Sequence, residues 1–187
     1  QFDFRFFLVG AWLLVTFVFE SEKEGFITQV VFSSLENYAA NLRFTTWILA
    51  AALFLLVSIY LLGLSRHRHF RRLVPLALSL ALIFGALTFV LDGVIIRQLG
   101  NAINLLFSAL WLGMLPAAWA IKRPGQRLLL AFLSTWWLSS TAILLGYITN
   151  IYYTASFSLI KAATEVALVL GSLLVYTWQQ RHEEREL

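Results

Sequence analysis

The chain has no cysteine, which removes disulfides, thiol redox chemistry and thiolate metal sites together. Charge is scarce as well. Asp, Glu, Lys and Arg make up 13% of the 187 residues, against about a quarter in an average soluble domain. Apolar residues make up 60%, and the mean hydropathy is +0.78. A water-soluble protein of this length could not cover that much apolar surface with polar groups. The surplus must face lipid, and the length suits a single membrane domain. Histidine is missing from every long apolar run, since His67, His69 and His182 all stand in polar segments. Haem, chlorophyll-type and di-iron centres draw on histidine, cysteine or clustered carboxylates, so neither a cofactor nor a metal site is expected. The net charge of +4 is small and scattered, which argues against a nucleic-acid partner. Methionine occurs once, at Met114, and the chain opens on Gln1, so an excerpt of a longer chain is expected.

What is present is a series of apolar runs. A helix crossing the hydrocarbon core needs about 20 mainly apolar residues, and six stretches approach or reach that length: 4–19, 44–64, 73–91, 102–121, 128–148 and 159–178. The runs are continuous rather than alternating, which excludes a membrane β-barrel. The expected fold is an all-α, polytopic bundle of six transmembrane helices. Ser65–Arg72 and Lys122–Arg127 are short and basic, and with Arg5, Arg181 and Arg185 they hold ten of the fourteen Lys and Arg residues. The other side keeps only Lys23, Arg43, Arg97 and Lys161. The positive-inside rule then places both termini in the cytoplasm, as an even number of spans also requires. A bacterial-type inner or plasma membrane is the expected location.

Between the first two runs, Ser21–Arg43 is too polar to span. Ile27, Val31, Leu35, Tyr38 and Leu42 recur at helical spacing, which predicts an amphipathic helix lying along the outer interface. Ser21 and Glu24 have capping-box spacing. At the other end, Gln179–Leu187 is expected to continue the last span as a polar cytoplasmic helix. No internal repeat relates the runs, which counts against the duplicated transporter architectures. Gly113, Pro116 and Ala117, and separately Ala81 with Gly85, are expected to let helices approach closely.

Catalytic signatures are missing. Ser139, Ser140 and Thr141 have no histidine or lysine beside them in the run, and hydroxyls in such helices bond back to their own backbone or bridge helices. The chain holds no Gly-rich phosphate cradle, no zinc-protease helix and no paired catalytic carboxylates, so no catalytic residue is assigned. The informative residues are the few ionisable ones, because a charge at membrane depth costs several kcal/mol and faces the bundle interior. Glu165 lies deepest in the sixth run, with Lys161 one turn earlier on the same face. Asp92, Arg97, Asn101 and Asn104 cluster where the third run gives way to the fourth. Together they form a candidate ligand or ion site in the outer half of the membrane. A plain interhelical clamp, with Glu165 neutralised by Lys161 or Arg97, is the weightier explanation. Trp136 and Trp137 read as packing or lipid-facing bulk, and Trp12, Trp47 and Trp178 as interface anchors. Arg66, Arg68, Arg71 and Arg72 are candidate contacts for anionic lipid headgroups. His67 and His69 belong to the same loop rather than to a metal site.

The reading that follows is a non-enzymatic membrane module acting through protein contacts, as a complex subunit or a sensory domain. Its partners would be the lipid bilayer and other membrane subunits or further copies of the chain. The alternative is a small ion or solute transporter using the polar vestibule around Glu165.

Overall fold

A computed structural model describes residues 4–23, 26–31, 37–123, 125–149 and 155–186. Among them all regular structure is helical. The order is α1 (Phe4–Lys23), a π-helical segment (Phe26–Val31), α2 (Ala39–Leu61), a 3-10 turn (Leu64–Arg66), α3 (Arg68–Leu87), α4 (Gly93–Ala120), α5 (Gln126–Thr149) and α6 (Ala155–Glu186). Helices α1 to α5 are each long and apolar enough to cross a membrane. Within α6 the described apolar stretch is shorter, Ala162–Val175.

Ser21–Arg43 is not one interfacial helix. Helix α1 continues through Ser21 to Lys23, a six-residue segment follows, and α2 already begins at Ala39. Ser21 is therefore inside a helix and cannot cap one, while its proposed capping partner Glu24 and the predicted helix residue Leu35 lie outside the described residues. The cause is visible in α1 itself. Near its polar end Glu22 finds hydrogen-bond partners on the protein, so the helix continues there instead of breaking.

The chain forms two compact units, residues 1–60 with 65–107 and residues 61–64 with 108–187. In the first unit, Leu8, Val9, Trp12 and Thr16 form the buried face of α1, at the i, i+4, i+8 spacing of one helical side. Trp12 is not an interface anchor. It is fully buried near the middle of α1, with its ring 5.9 Å from that of Phe54. The opposite face, with Phe7, Leu14 and Phe17, is exposed, as lipid contact requires. Helix α2 is buried without interruption from Ala52 to Ile59, which marks it as a central helix, apolar all round. Helix α3 buries Ala77, Ala81, Phe84 and Gly85. A Cβ on Gly85 would stand 3.0 Å from Thr45 Cγ2, so this glycine does permit the expected close approach. Gly113 does not. It is exposed, with open space where its Cβ would be.

The second unit is built on α5 and α6, antiparallel neighbours. A Cβ on Gly171 would overlap the Phe132 ring, so the two helices approach as closely as a missing side chain allows. At the end of α5 nearest the α4–α5 turn, Gln126 is buried and its amide donates to the carbonyls of Leu62 (3.1 Å) and Ala118 (3.3 Å). These carbonyls belong to chain ends of α2 and α4, where intrahelical donors run out. Gly63 completes the stop of α2 with φ at 71°, the left-handed C′ conformation that glycine adopts without strain.

Candidate functional site

Polar side chains inside an apolar bundle must find partners, because lipid offers none. Most hydroxyls on these helices bond back to their own turn: Ser58 to Phe54 O, Ser134 to Leu130 O, Ser139 to Thr135 O and Ser172 to Val169 O. Two groups of the remaining polar contacts stand out.

One is in the second unit, between α5 and α6. Trp136 Nε1 donates to Glu165 Oε1 at 2.8 Å. Trp136 is only 6% exposed, so it is neither lipid-facing nor mere bulk but a hydrogen-bond donor aimed at the acid. Ten residues separate it from Gln126 and thirteen from Thr149, rises of about 15 and 20 Å. The Glu165 carboxylate thus meets the middle of α5, deeper than the outer-half position inferred from its place in the sixth run. The Lys161 side chain lies outside the described residues. Alongside, Trp137 stacks on Trp111 with ring centroids 5.1 Å apart and planes 14° from parallel. Ser108 and Thr141 bring their hydroxyls to 3.4 Å. Trp137 Nε1 and Ser140 Oγ are buried without a hydrogen-bond partner. They are three residues apart, on one face of α5.

The other place is in the first unit and was missed by the sequence reading. Glu22 is 0% exposed. Its Oε2 accepts the Thr28 backbone N–H at 3.1 Å and its Oε1 the Thr28 hydroxyl at 2.6 Å. Arg43 Nη2 donates to the Glu22 backbone carbonyl at 3.3 Å, and Arg43 Nε is buried without a partner. The end of α1, the π-helical segment and the start of α2 are thereby tied by one acid, one hydroxyl and one cation. Only the fold back of Phe26–Val31 onto the helix end makes this visible.

The other residues singled out earlier are placed as follows. Asp92 is exposed at the start of α4, where its Oδ2 accepts the Val94 N–H at 3.2 Å and its carbonyl the Ile96 N–H at 2.9 Å. It is a helix N-cap. Helix α4 begins nine residues earlier than the predicted span, so Arg97, Asn101, Asn104 and Ser108 all lie on one helical face. Arg97 is exposed, Asn101 half-buried, and Asn104 buried with its amide 3.4 Å from Gly100 O of its own helix. These belong to the first unit up to Phe107, whereas Lys161 and Glu165 belong to the second. Arg66, Arg68, Arg71 and Arg72 are all exposed along the 3-10 turn and the first turns of α3. His67 and His69 are exposed with them, and the His67 ring sits edge-on to Phe70 at 6.1 Å. Among the described residues no group of three or more His, Cys, Asp or Glu is placed to hold a metal.

Five apolar helices of membrane-crossing length mark a multi-pass helical membrane protein. No family model matches this chain, and no curated protein or solved structure is significantly similar to it.

Proposed function

We propose that this chain is a non-enzymatic membrane module that works through protein contacts, either as a subunit of a larger complex or as a sensory, signal-transmitting domain. The observation that carries this reading is α6. It is one unbroken helix of 32 residues, about 48 Å long, against a hydrocarbon core of about 30 Å. The surplus turns are polar, running Gln179-Gln-Arg-His-Glu-Glu-Arg-Glu186. A rigid polar helix standing out of the bilayer in line with a span is the form a docking or signal-transmitting arm takes. Its partners are other membrane subunits or further copies of the chain. The test is affinity purification from native membranes, comparing the full chain with a version ending at Trp178. Loss of co-purifying chains from the shortened version is expected. Equal recovery from both, or none from either, overturns the reading.

The topology proposed with it has α6 as a sixth span, both termini in the cytoplasm and a bacterial-type inner or plasma membrane as the location. Exposed Arg66, Arg68, Arg71 and Arg72 would then meet anionic headgroups. With no native cysteine, single cysteines report cleanly. Gly93→Cys, where a side chain meets open space, is expected to react with an impermeant thiol reagent from outside. His69→Cys and Arg181→Cys, both at exposed positions, are expected to react only after permeabilisation. Labelling of Arg181→Cys from outside removes the sixth span, and the full reverse pattern inverts the orientation.

A second reading, a small ion or solute transporter, is favoured by the Glu165 carboxylate at mid-span and the unpartnered Trp137 Nε1 and Ser140 Oγ nearby on α5. Specific flux in liposomes holding this chain alone would select it.

A further inference from the structure

We propose that the groove between α4 and α5 at the end next to their connecting turn binds one anionic phospholipid, with an acyl chain in the groove and the headgroup phosphate at Arg127. The groove has a volume of about 410 Å³. One wall is Leu115, Pro116 and Trp119 of α4, and the other is Leu130 and Ala131 of α5. It exists because the side chains recede there. Ala131 and Ser134 are small, and Gly113, one turn deeper on the face of Pro116, leaves open space. From Arg127 at the mouth to Ser134 at the deep end is seven residues, a rise of about 10 Å into the membrane.

The ends of the groove differ in polarity, and that difference selects the occupant. At the mouth, Arg127 lies over the Trp119 ring, 5.5 Å from its centroid, and has no hydrogen-bond partner among the described residues. Trp119 is 66% exposed, at the end of α4, the level at which indoles sit among headgroups. Lys122 is also exposed, and Lys122–Arg127 contains Arg123 but no acid. An apolar slot opening onto a cation and an indole is complementary to an anionic amphiphile, whichever leaflet it faces. A protein helix would not use the unpaired guanidinium, because nothing in its apolar face accepts five N–H donors.

The experiment uses the full chain, delipidated in mild detergent and exposed to mixed micelles of phosphatidylglycerol and phosphatidylcholine in equal amounts, with retained lipid counted by native mass spectrometry. One phosphatidylglycerol per chain is expected to remain. Arg127→Gln is expected to keep a lipid but lower the preference for the anionic headgroup about fivefold, the factor for one basic residue at a charged surface. Ala131→Trp fills the groove and is expected to lose the retained lipid. Leu128→Trp, an exposed position outside the groove, is expected to keep it. Ser134→Leu provides a second, milder filling, since its hydroxyl bonds only to its own turn. The proposal is overturned if both filling variants retain lipid as Leu128→Trp does, or if Arg127→Gln leaves the preference unchanged. A dimer that both filling variants convert to monomer, with lipid unaffected, makes a second copy the occupant and overturns it too.

Discussion

Glu22→Ala is expected to destabilise the protein by about 3–5 kcal/mol, because it removes the carboxylate that two buried donors meet. The Thr28 N–H and hydroxyl both end on the Glu22 carboxylate, and Thr28 is itself fully buried. No water replaces a lost partner there without opening the segment. Thr28→Val keeps the backbone bond and removes only the hydroxyl, at an expected cost of about 2 kcal/mol. Thr28→Ser restores the donor and is expected to lie close to the native protein. Glu22→Gln separates shape from charge. Its carbonyl oxygen still accepts the Thr28 N–H, and its amide donates to a hydroxyl that has turned to accept. If the acid acts only as a latch, Glu22→Gln loses about 1 kcal/mol, the difference between neutral and charge-assisted bonds. A much larger loss would show that the negative charge itself is needed, with Arg43 as the nearby cation. Thermal unfolding of tertiary structure in detergent reads the whole series. A Glu22→Ala protein within about 0.5 kcal/mol of native sinks the latch.

The sequence disclosed the spans more readily than the polar contacts, for a physical reason in each case. Apolar runs report lipid exposure and burial alike, so α2, α3, α4 and α5 stand out although their packing differs. Glu20, Glu22 and Lys23 carry the composition of a solvated loop, and composition does not reveal that six residues return to give Glu22 its donors. Asp92 shows the reverse error. An acid beside a span invites an ion-site reading, yet at the residue before Gly93 it has the ordinary work of a helix cap. The Trp136–Glu165 pair was closer to being legible. Residues 136 and 165, like 132 and 171, are nearly equidistant from residues 150 and 151 in sequence, so antiparallel pairing of α5 with α6 sets each pair at one depth. Counting outward from the turn would have matched the acid with the indole. The second signal was chemical: tryptophan carries a donor that must be met when the ring is buried.

That pair makes the last prediction, and it separates the two functional readings. Trp136→Phe is expected to cost about 2 kcal/mol, since it removes a side-chain hydrogen bond and leaves a part-buried acceptor unmet. The same change made in a Glu165→Leu background is expected to cost almost nothing, so the cycle closes with a coupling of about 2 kcal/mol. Glu165→Gln keeps an oxygen for the Trp136 N–H and is expected to stay folded, with partners still recovered on purification. Replacing Lys161 and Glu165 together by Met and Leu extends the comparison. If the acid serves helix contact alone, the double apolar variant is tolerated, since good packing is often no worse than a buried ion pair. If the acid carries a proton or cation, Glu165→Gln abolishes flux in liposomes while stability is kept, and the double variant does not restore it. Loss of flux in a folded, partner-bound Glu165→Gln protein overturns the contact-only function. Native stability in Trp136→Phe, on the other hand, removes the hydrogen bond from the account of α5 and α6, and their association then rests on packing such as that of Gly171 against Phe132.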